Sequence, residues 1–218
     1  MKIAVQIPIK GYSERIKNKN FHPLLGKPLC CHVLEEAKKL SECWDVFIDT
    51  DTPEKFTELD TEGLEIHTRH PWFASDAANG NHLLWQFACH HMDYDVYVQL
   101  FVTAVGLKAK TVKRAVDNLL LEDRYDSTHT VVEDTGWYWK GGKTDSYDAD
   151  SPAGLPRSQD DKAARETTGM YAIRKHSLLT RGCRVGHLPL LHYVTNEEAL
   201  DINDPADLLL AEKMLGGS

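Results

Sequence analysis

The sequence predicts a single α/β domain: a mostly parallel β-sheet flanked by helices, with a small protruding β lobe. Three observations predict it. Short apolar runs alternate with helical patterns of about 10–15 residues, which is the rhythm of βαβ units. The 218 residues are 42% hydrophobic and 27% charged, an ordinary globular mix for one domain. One stretch, 133–160, breaks the rhythm with Gly, Asp, Ser, Trp and Tyr.

Lys2–Pro8 (KIAVQIP) reads as a buried strand. Pro28–Leu40 reads as a helix, with Pro28 in the first turn and Leu29, Val33, Leu34 and Ala37 on one face. Asp45–Asp49 and Leu64–Thr68 follow as strands. Asn79–His91 is a helix with Leu83, Leu84 and Phe87 inward, and Asp95–Leu100 is a strand. Ala109–Leu121 is a helix, and Ser127–Val132 and Gly169–Arg174 are strands. The last helix, Asp204–Leu215, takes Asp204 as its N-cap and Pro205 at its first position. Glu133–Gln159 reads as a hairpin and long loop, and such loops in compact domains tend to be functional or to pack on a partner. Trp137, Tyr138 and Trp139 suggest a contact surface there, or an aromatic cluster that holds the hairpin.

Charge and composition exclude several classes. The net charge of −8 argues against a general nucleic-acid binder. No run of about 18 apolar residues occurs, and the opening MKIAVQIPIK is too short and interrupted for a signal peptide, so a cytosolic protein is expected. Five cysteines without a Cys-x-x-Cys fit reduced thiols rather than a disulfide framework or zinc ribbon.

The segment after the first strand carries the most chemistry. Ile9–Asn20 (IKGYSERIKNKN) holds Lys10, Arg15, Lys17 and Lys19 against Glu14 alone. In an open parallel sheet, ligands bind beyond the carboxyl ends of the strands. A basic, Gly-containing loop there is a cradle for phosphates, or else a solvated charged loop. It is neither a P-loop nor a dinucleotide fingerprint, because both glycine patterns are absent.

Other candidates are weaker. Asp49-Thr50-Asp51 follows a strand and could bind a metal, or Asp51 or Thr52 could cap a helix at Pro53. His67 and His70 straddle a strand end, and His90 and His91 point about 100° apart on a helix, so neither pair is expected to converge. Cys30 and Cys31 read as core filler. No Gly-x-Ser-x-Gly elbow supports a serine hydrolase.

The stretch IPIKGYSERIKNKNFHPLLGKPL resembles the opening of the acylneuraminate cytidylyltransferases, the CMP-sialic acid synthetase family. That opening runs Ile-Pro-Ala-Arg-Gly-Gly-Ser-Lys-Arg-Ile-Pro-x-Lys-Asn, then Leu-x-Gly-Lys-Pro-Leu. Further matches follow in the family's order. Arg69 with Ala74-Ser75-Asp76 is similar to Arg-Pro-x-x-x-Ala-Ser-Asp, and Gln99 to Ala104 sits where the family has Gln-Pro-Thr-Ser-Pro-Leu. Arg157-Ser158-Gln159-Asp160, Arg165 and Gly169-Met170-Tyr171 resemble Arg-x-Gln-Asp…Arg-x-Asn-Gly-x-Tyr. Asp201-Ile202-Asn203-Asp204-Pro205 resembles Asp-Ile-Asp-Thr-Pro. The first loop is closer to this branch than to the 3-deoxy-manno-octulosonate enzymes, with their Arg-Leu-Pro-x-Lys-Pro.

The resemblance spans the chain and implies one Rossmann-like nucleotide-diphospho-sugar transferase domain over 1–218. It implies Mg²⁺-dependent transfer of CMP from CTP to the anomeric oxygen of an acidic 2-keto sugar, releasing pyrophosphate. It places Lys10, Lys19 and Asp201 in catalysis. It places Ile9, Lys10, Gly11, Ser13, Lys19, Asn20, Arg69, Ala78 and Gly80 at the nucleotide, and Gln99, Arg165 and Tyr171 at the sugar. Asp201 and Asn203 fall at the Mg²⁺ site. It implies a homodimer joined through 133–160 and 184–195, including Leu188–Tyr193, with Lys140 or Lys143 meeting the sugar carboxylate across the interface. No nucleic acid or membrane partner is implied. Four departures stand out: Lys10 replaces Arg, Glu14 replaces Lys, Asn203 replaces Asp, and Val105-Gly106 replaces a proline-containing strand end. They raise two alternatives, a catalytically inactive nucleotide- or sugar-binding paralogue and a cytidylyltransferase for an eight-carbon acid.

Overall fold

The structure, a computed structural model, describes residues 1–13, 16–151, 155, 157, 159–160 and 162–217. Glu14, Arg15 and Ser158, which figured in the motifs above, lie outside the described residues. In chain order the elements are β1 (Ile3–Ile9), the short pair β2 (Pro23–Leu24) and β3 (Lys27–Pro28), α1 (Leu29–Leu40), β4 (Asp45–Thr50) and β5 (Glu65–Thr68). Then come α2 (Gly80–His90), β6 (Val96–Leu100), α3 (Ala109–Leu121), β7 (Ser127–Thr135) and the small hairpin β8 (Trp139–Lys140) and β9 (Lys143–Thr144). The chain continues through β10 (Lys162–Arg174), α4 (Lys175–Arg181), β11 (Pro189–Tyr193) and α5 (Pro205–Gly216).

Seven strands form the main sheet in the order β11-β7-β10-β6-β1-β4-β5. β1 pairs in parallel with β4 and β6, β4 with β5, and β7 with β11. Only β10 runs antiparallel, against β6 and β7. The expected mostly parallel sheet is therefore present. The chain winds outward from β1 to β5 and then returns to β6 on the other flank of β1. That reversal opens a crevice at the carboxyl ends of β1 and β6, the place where open α/β sheets bind ligands.

Both faces of β1 are covered, and all seven of its residues are buried, so it reads as a continuous apolar run. Ile3, Val5, Ile7 and Ile9 pack into the core with α1 and α3. Ala4 faces a second core with Phe47, Tyr97 and Ile173 under α2 and α4. The predicted face of α1, with Leu29, Val33, Leu34 and Ala37, is buried. Asp204 caps α5 as its sequence suggests, accepting from the N–H groups of Ala206 and Asp207 at 2.8 and 3.1 Å.

Two expectations are corrected. β7 runs on to Thr135 and pairs with a thirteen-residue β10, so the start of the segment taken as hairpin and loop is a long ladder. Its polar residues hide the strand signal, because Glu133 and the residues Ala164 to Glu166 project beyond the core. Pro189–Tyr193, expected to be part of a lobe, is an edge strand of the main sheet. Helix α4 was not predicted, being only seven residues with one buried side chain, Leu178.

Candidate functional site

The basic loop, Lys10 to Asn20, follows β1. Lys10 and Lys19 line a cavity of about 300 Å³ with Ser13, Ile16, Asn20, Asp76 and Thr103. Asn20 Nδ2 donates to the Lys10 carbonyl at 2.9 Å, which fixes the start of the loop against its end. The Gly11 N–H donates to Asp51 Oδ1 at 3.0 Å, and Lys55 Nζ donates to the Gly11 carbonyl at 2.8 Å. Asp51 is thus a loop tether. The alternatives weighed for it and Thr52, a metal ligand or a cap, give way to this contact, and Thr52 makes no side-chain capping bond. Lys10 Nζ lies 3.2 Å from Asp76, whose side chain is 79% exposed. Such a surface pair is weak and an entering anion can replace it. Ile9 is fully buried as the last residue of β1.

A polar row crosses the sheet under α2. In the ladder Gln6 pairs with Gln99, Gln99 with Tyr171, and Tyr171 with His129, so all four project to one face. Gln99 Nε2 donates to Gln6 Oε1 at 2.8 Å and to the Gly80 carbonyl at 3.0 Å. Gln6 Nε2 donates in turn to Asp49 Oδ2 at 2.5 Å and to the Leu83 carbonyl at 3.0 Å. Arg69 closes the row, with Nε 3.2 Å from Asp49 Oδ1 and Nη2 donating to the Asp49 carbonyl at 2.5 Å. Burial pushes the Asp49 carboxyl up to about 6, against the pull of Arg69 and Gln6. Arg69, expected at the nucleotide, borders a cavity of about 400 Å³ with Lys10, Ala78, Gly80 and Phe101, but spends its charge on Asp49. Asp49 is fully buried, so the metal reading of Asp49-Thr50-Asp51 fails for it.

Tyr171 is buried and donates its hydroxyl to Glu166. Burial raises its phenol pKa, as does the Glu166 carboxylate, while Arg184 opposes them. The Arg184 guanidinium lies 3.7 Å from the Tyr171 ring centroid and 5.3 Å from that of Phe101. Asn79 caps α2 with bonds to Asn81 and His82, and so sets Ala78 and Gly80 at the cavity wall.

The third group sits before α5. Asp201, Asn203, Arg165, Glu166 and Thr168 line an open cavity of about 380 Å³. Thr168 Oγ1 and Asn203 Nδ2 both donate to Asp201 Oδ2, at 2.9 and 2.8 Å. Thr168 has φ 55°, a left-handed conformation that β-branched residues avoid, at the irregularity between Glu166 and Tyr171 in β10. Arg165 Nε lies 3.5 Å from Asp134 and its side chain is 55% exposed. Lys19 Nζ joins the first and third groups by donating to the Ile202 carbonyl at 2.8 Å. Lys19 thus joins the positions expected for nucleotide and metal, while Arg165 lines the open cavity before α5 and Gln99 and Tyr171 are fully buried in the sheet.

Asp201 and Asn203 offer hard oxygen donors, which suits Mg²⁺ shared with phosphate oxygens. As placed, the Asn203 amide gives its nitrogen to Asp201, so its oxygen joins the carboxylate only after the amide turns. No group of three His, Cys, Asp or Glu converges to hold a metal among the described residues. Histidines meet across the two pairs rather than within them: His91 Nε2 is 3.1 Å from His67 Nδ1, and the His90 ring centroid is 5.6 Å from that of His67. A strand end and a helix converge there, which sequence spacing cannot show. Burial and the two neighbours push His67 down to about 4. Cys30 is buried and its thiol is pushed up to about 12 by burial, as suits core filler.

Sequence reasoning missed Gln6, Thr168 and Arg184, and read Asp49 as a candidate metal ligand rather than the partner of Arg69. Gln6 and Gln99 had a signal, each being the lone polar residue in an otherwise apolar run. Arg184 had none, since Gly182–Gly186 reads as plain loop.

A protein-family model described as Cytidylyltransferase matches residues 4–196. Over 126 residues the chain is 28% identical to a CMP-N,N'-diacetyllegionaminic acid synthase of Legionella pneumophila, covering 54% of this chain and 53% of that protein. It is 22% identical to an N-acylneuraminate cytidylyltransferase of Escherichia coli O18:K1:H7, covering 96% of this chain and 51% of that protein. The chain thus spans about half the length of the curated relatives it matches. Among solved structures, a CMP:2-keto-3-deoxy-manno-octonic acid synthetase complexed with CTP superposes with TM-score 0.72 at 17% identity, over 100% of this chain and 99% of that one. A 4-diphosphocytidyl-2C-methyl-D-erythritol synthase of Anaerococcus prevotii superposes with TM-score 0.69 at 9% identity, over 99% and 98%. At these identities the likeness establishes the fold. No helix among the described residues is long and apolar enough to cross a membrane.

Proposed function

The chain belongs to the cytidylyltransferase family, and from that premise we propose that it transfers CMP from CTP to the anomeric oxygen of an acidic 2-keto sugar. One observation carries the reading: Lys19 lines the phosphate cavity with Lys10 while its ammonium holds the backbone between Asp201 and Asn203. That contact ties the proposed triphosphate and metal positions into one unit.

In this mechanism Lys10 and Lys19 neutralise the triphosphate, and Lys10 exchanges Asp76 for phosphate oxygens. The sugar's anomeric oxygen attacks the α-phosphorus, a new P–O bond forms, and the bond to the pyrophosphate oxygen breaks. Such displacements need alignment and charge neutralisation more than covalent help. Asp201, held by Thr168 and Asn203, accepts the hydroxyl proton. Mg²⁺ held by Asp201 and Asn203 would add positive charge at the phosphates. Ala78 and Gly80 border the base pocket. Gln99 and Tyr171 face the sugar. We place a homodimer contact on the β8–β9 hairpin, where Trp139 is 58% exposed.

The test is pyrophosphate release from CTP with Mg²⁺ against eight- and nine-carbon 2-keto sugar acids, with ATP, GTP and UTP as controls. Release that needs CTP and one acid is the expected result. CTP binding without release from any acid would favour the non-catalytic reading, to which the Asn203 amide at Asp201 lends support.

A further inference from the structure

Arg184 enters the site from the loop between α4 and β11, and four contacts fix it. Its backbone N–H donates to Asn81 Oδ1 at 3.1 Å, tying the loop to the first turn of α2. Its guanidinium stacks 3.7 Å over the Tyr171 ring and meets the edge of the Phe101 pocket. Nη1 donates to Gln99 Oε1 at 3.3 Å. Nη2 lies 3.9 Å from Glu166, a loose approach to a carboxylate that already accepts from Tyr171. The loop itself is pinned by Asp126, which accepts from the N–H groups of His187 and Leu188 at 2.7 and 3.0 Å.

The row beneath it presets the contact. Gln99 gives its amide N–H groups to Gln6 and Gly80, so only its carbonyl oxygen faces Arg184. Gly80 makes room: a Cβ there would overlap Arg184 Nη1 and stand 3.3 Å from Gln99 Oε1. The side chain is 20% exposed, a cation held on an aromatic face with part of its donor fork still open to ligand.

We propose that Arg184 binds the carboxylate of the sugar acid and sets the preference for acidic over neutral sugars. The inference rests on the cytidylyltransferase reading above. A planar fork pairs with a carboxylate through two parallel hydrogen bonds, and Arg184 offers it between the two residues placed at the sugar, Gln99 and Tyr171. The role belongs to this chain's own Arg184 rather than to Lys140 or Lys143 across an interface.

The experiment compares wild type, Arg184→Met, Arg184→Lys, Gly80→Ala and a Lys140→Ala, Lys143→Ala double variant, each checked by thermal melting. Calorimetry measures binding of N-acetylneuraminic acid, 3-deoxy-manno-octulosonic acid and their methyl esters, and pyrophosphate release gives the KM for CTP and for each acid. In the expected result, wild type binds one acid at least tenfold more tightly than its ester. Arg184→Met weakens the acid tenfold or more, leaves the ester alone and keeps the KM for CTP within twofold. Gly80→Ala, whose Cβ crowds Arg184, weakens the acid more than the ester, Arg184→Lys recovers part of the loss, and the double lysine variant matches wild type. Equal losses for acid and ester would mark Arg184 as a structural prop and overturn the proposal. So would a raised KM for CTP with the acid unaffected, or wild type that binds neither acid. Acid binding that needs Arg184, without release from CTP in any variant, would support the carboxylate site while overturning the cytidylyltransferase reading.

Discussion

Lys19 and Ile202 are 183 positions apart in sequence, and the Lys19 ammonium donates to the Ile202 carbonyl at 2.8 Å. A charged donor on a backbone carbonyl locks the basic loop to the segment that carries Asp201 and Asn203. Arginine at this position would keep the charge but not the reach of a single compact donor.

Lys19→Met should therefore impair more than phosphate binding. We expect pyrophosphate release to fall at least a hundredfold, with the Mg²⁺ requirement shifted upward because Asp201 loses its register. Initial rates over a Mg²⁺ series check this. A raised KM for CTP with an unchanged Mg²⁺ response would limit Lys19 to phosphate binding.

The buried pair of Asp49 and Arg69 should be costly to break and cheap to replace. Removing one partner strands a buried charge, which costs about 3–5 kcal/mol. Arg69→Met and Asp49→Leu are each expected to lose that much in urea unfolding. The double variant should recover most of the loss, since an apolar pair of similar volume avoids desolvation. Additive losses would contradict this.

Acid should destabilise the protein through its histidines. His67, His91, His129 and His192 are all pushed down, first by burial. A histidine with a lowered folded pKa binds fewer protons folded than unfolded, so stability rises with pH across that window. For His67 the contribution is complete above about 6.5 and is lost as pH falls toward about 4. Asp49, raised from 3.8 to about 6, has the opposite sign, and its contribution shrinks as pH climbs through that range. With His32, also pushed down by burial, five histidines outweigh one carboxyl, so melting temperature should drop from pH 7 to pH 4.5. His67→Gln should flatten the drop, and Asp49→Asn, although less stable throughout, should steepen it.

Thr168 holds Asp201 at the expense of left-handed backbone, φ 55°. Asparagine tolerates this conformation better and keeps a donor. Thr168→Asn should be as stable as wild type or up to about 1 kcal/mol more stable, with activity retained. Thr168→Gly relieves the strain but loses the donor, so its activity should fall while its urea midpoint holds.

Asn203→Asp places a second carboxylate beside Asp201 where an amide now donates. Less Mg²⁺ should then be needed for half-maximal release, and melting temperature without Mg²⁺ should fall from like-charge repulsion. An unchanged Mg²⁺ response would place the metal elsewhere.

The sequence by itself determined the architecture. Ile3–Ile9 and Val96–Leu100 are buried on both faces, so apart from Gln6 and Gln99 they are apolar and visible as strands. Asp204-Pro205 announced α5 because capping is local chemistry. The basic loop was legible too, since charge density and its place after a strand lie within twenty residues. Tertiary structure alone decided how these pieces meet. Gln6, Gln99, Tyr171 and His129 come from four strands and align only through the ladder register. The charge of Arg69 looked available to a nucleotide until Asp49 was found beneath it. Arg184, in a loop with no periodicity, reaches the site because Asn81, Asp126 and Gly80 hold it or make room for it from distant parts of the chain. Backbone preference and burial leave their mark on neighbouring residues, whereas a polar contact between strands is fixed by packing and leaves no local trace.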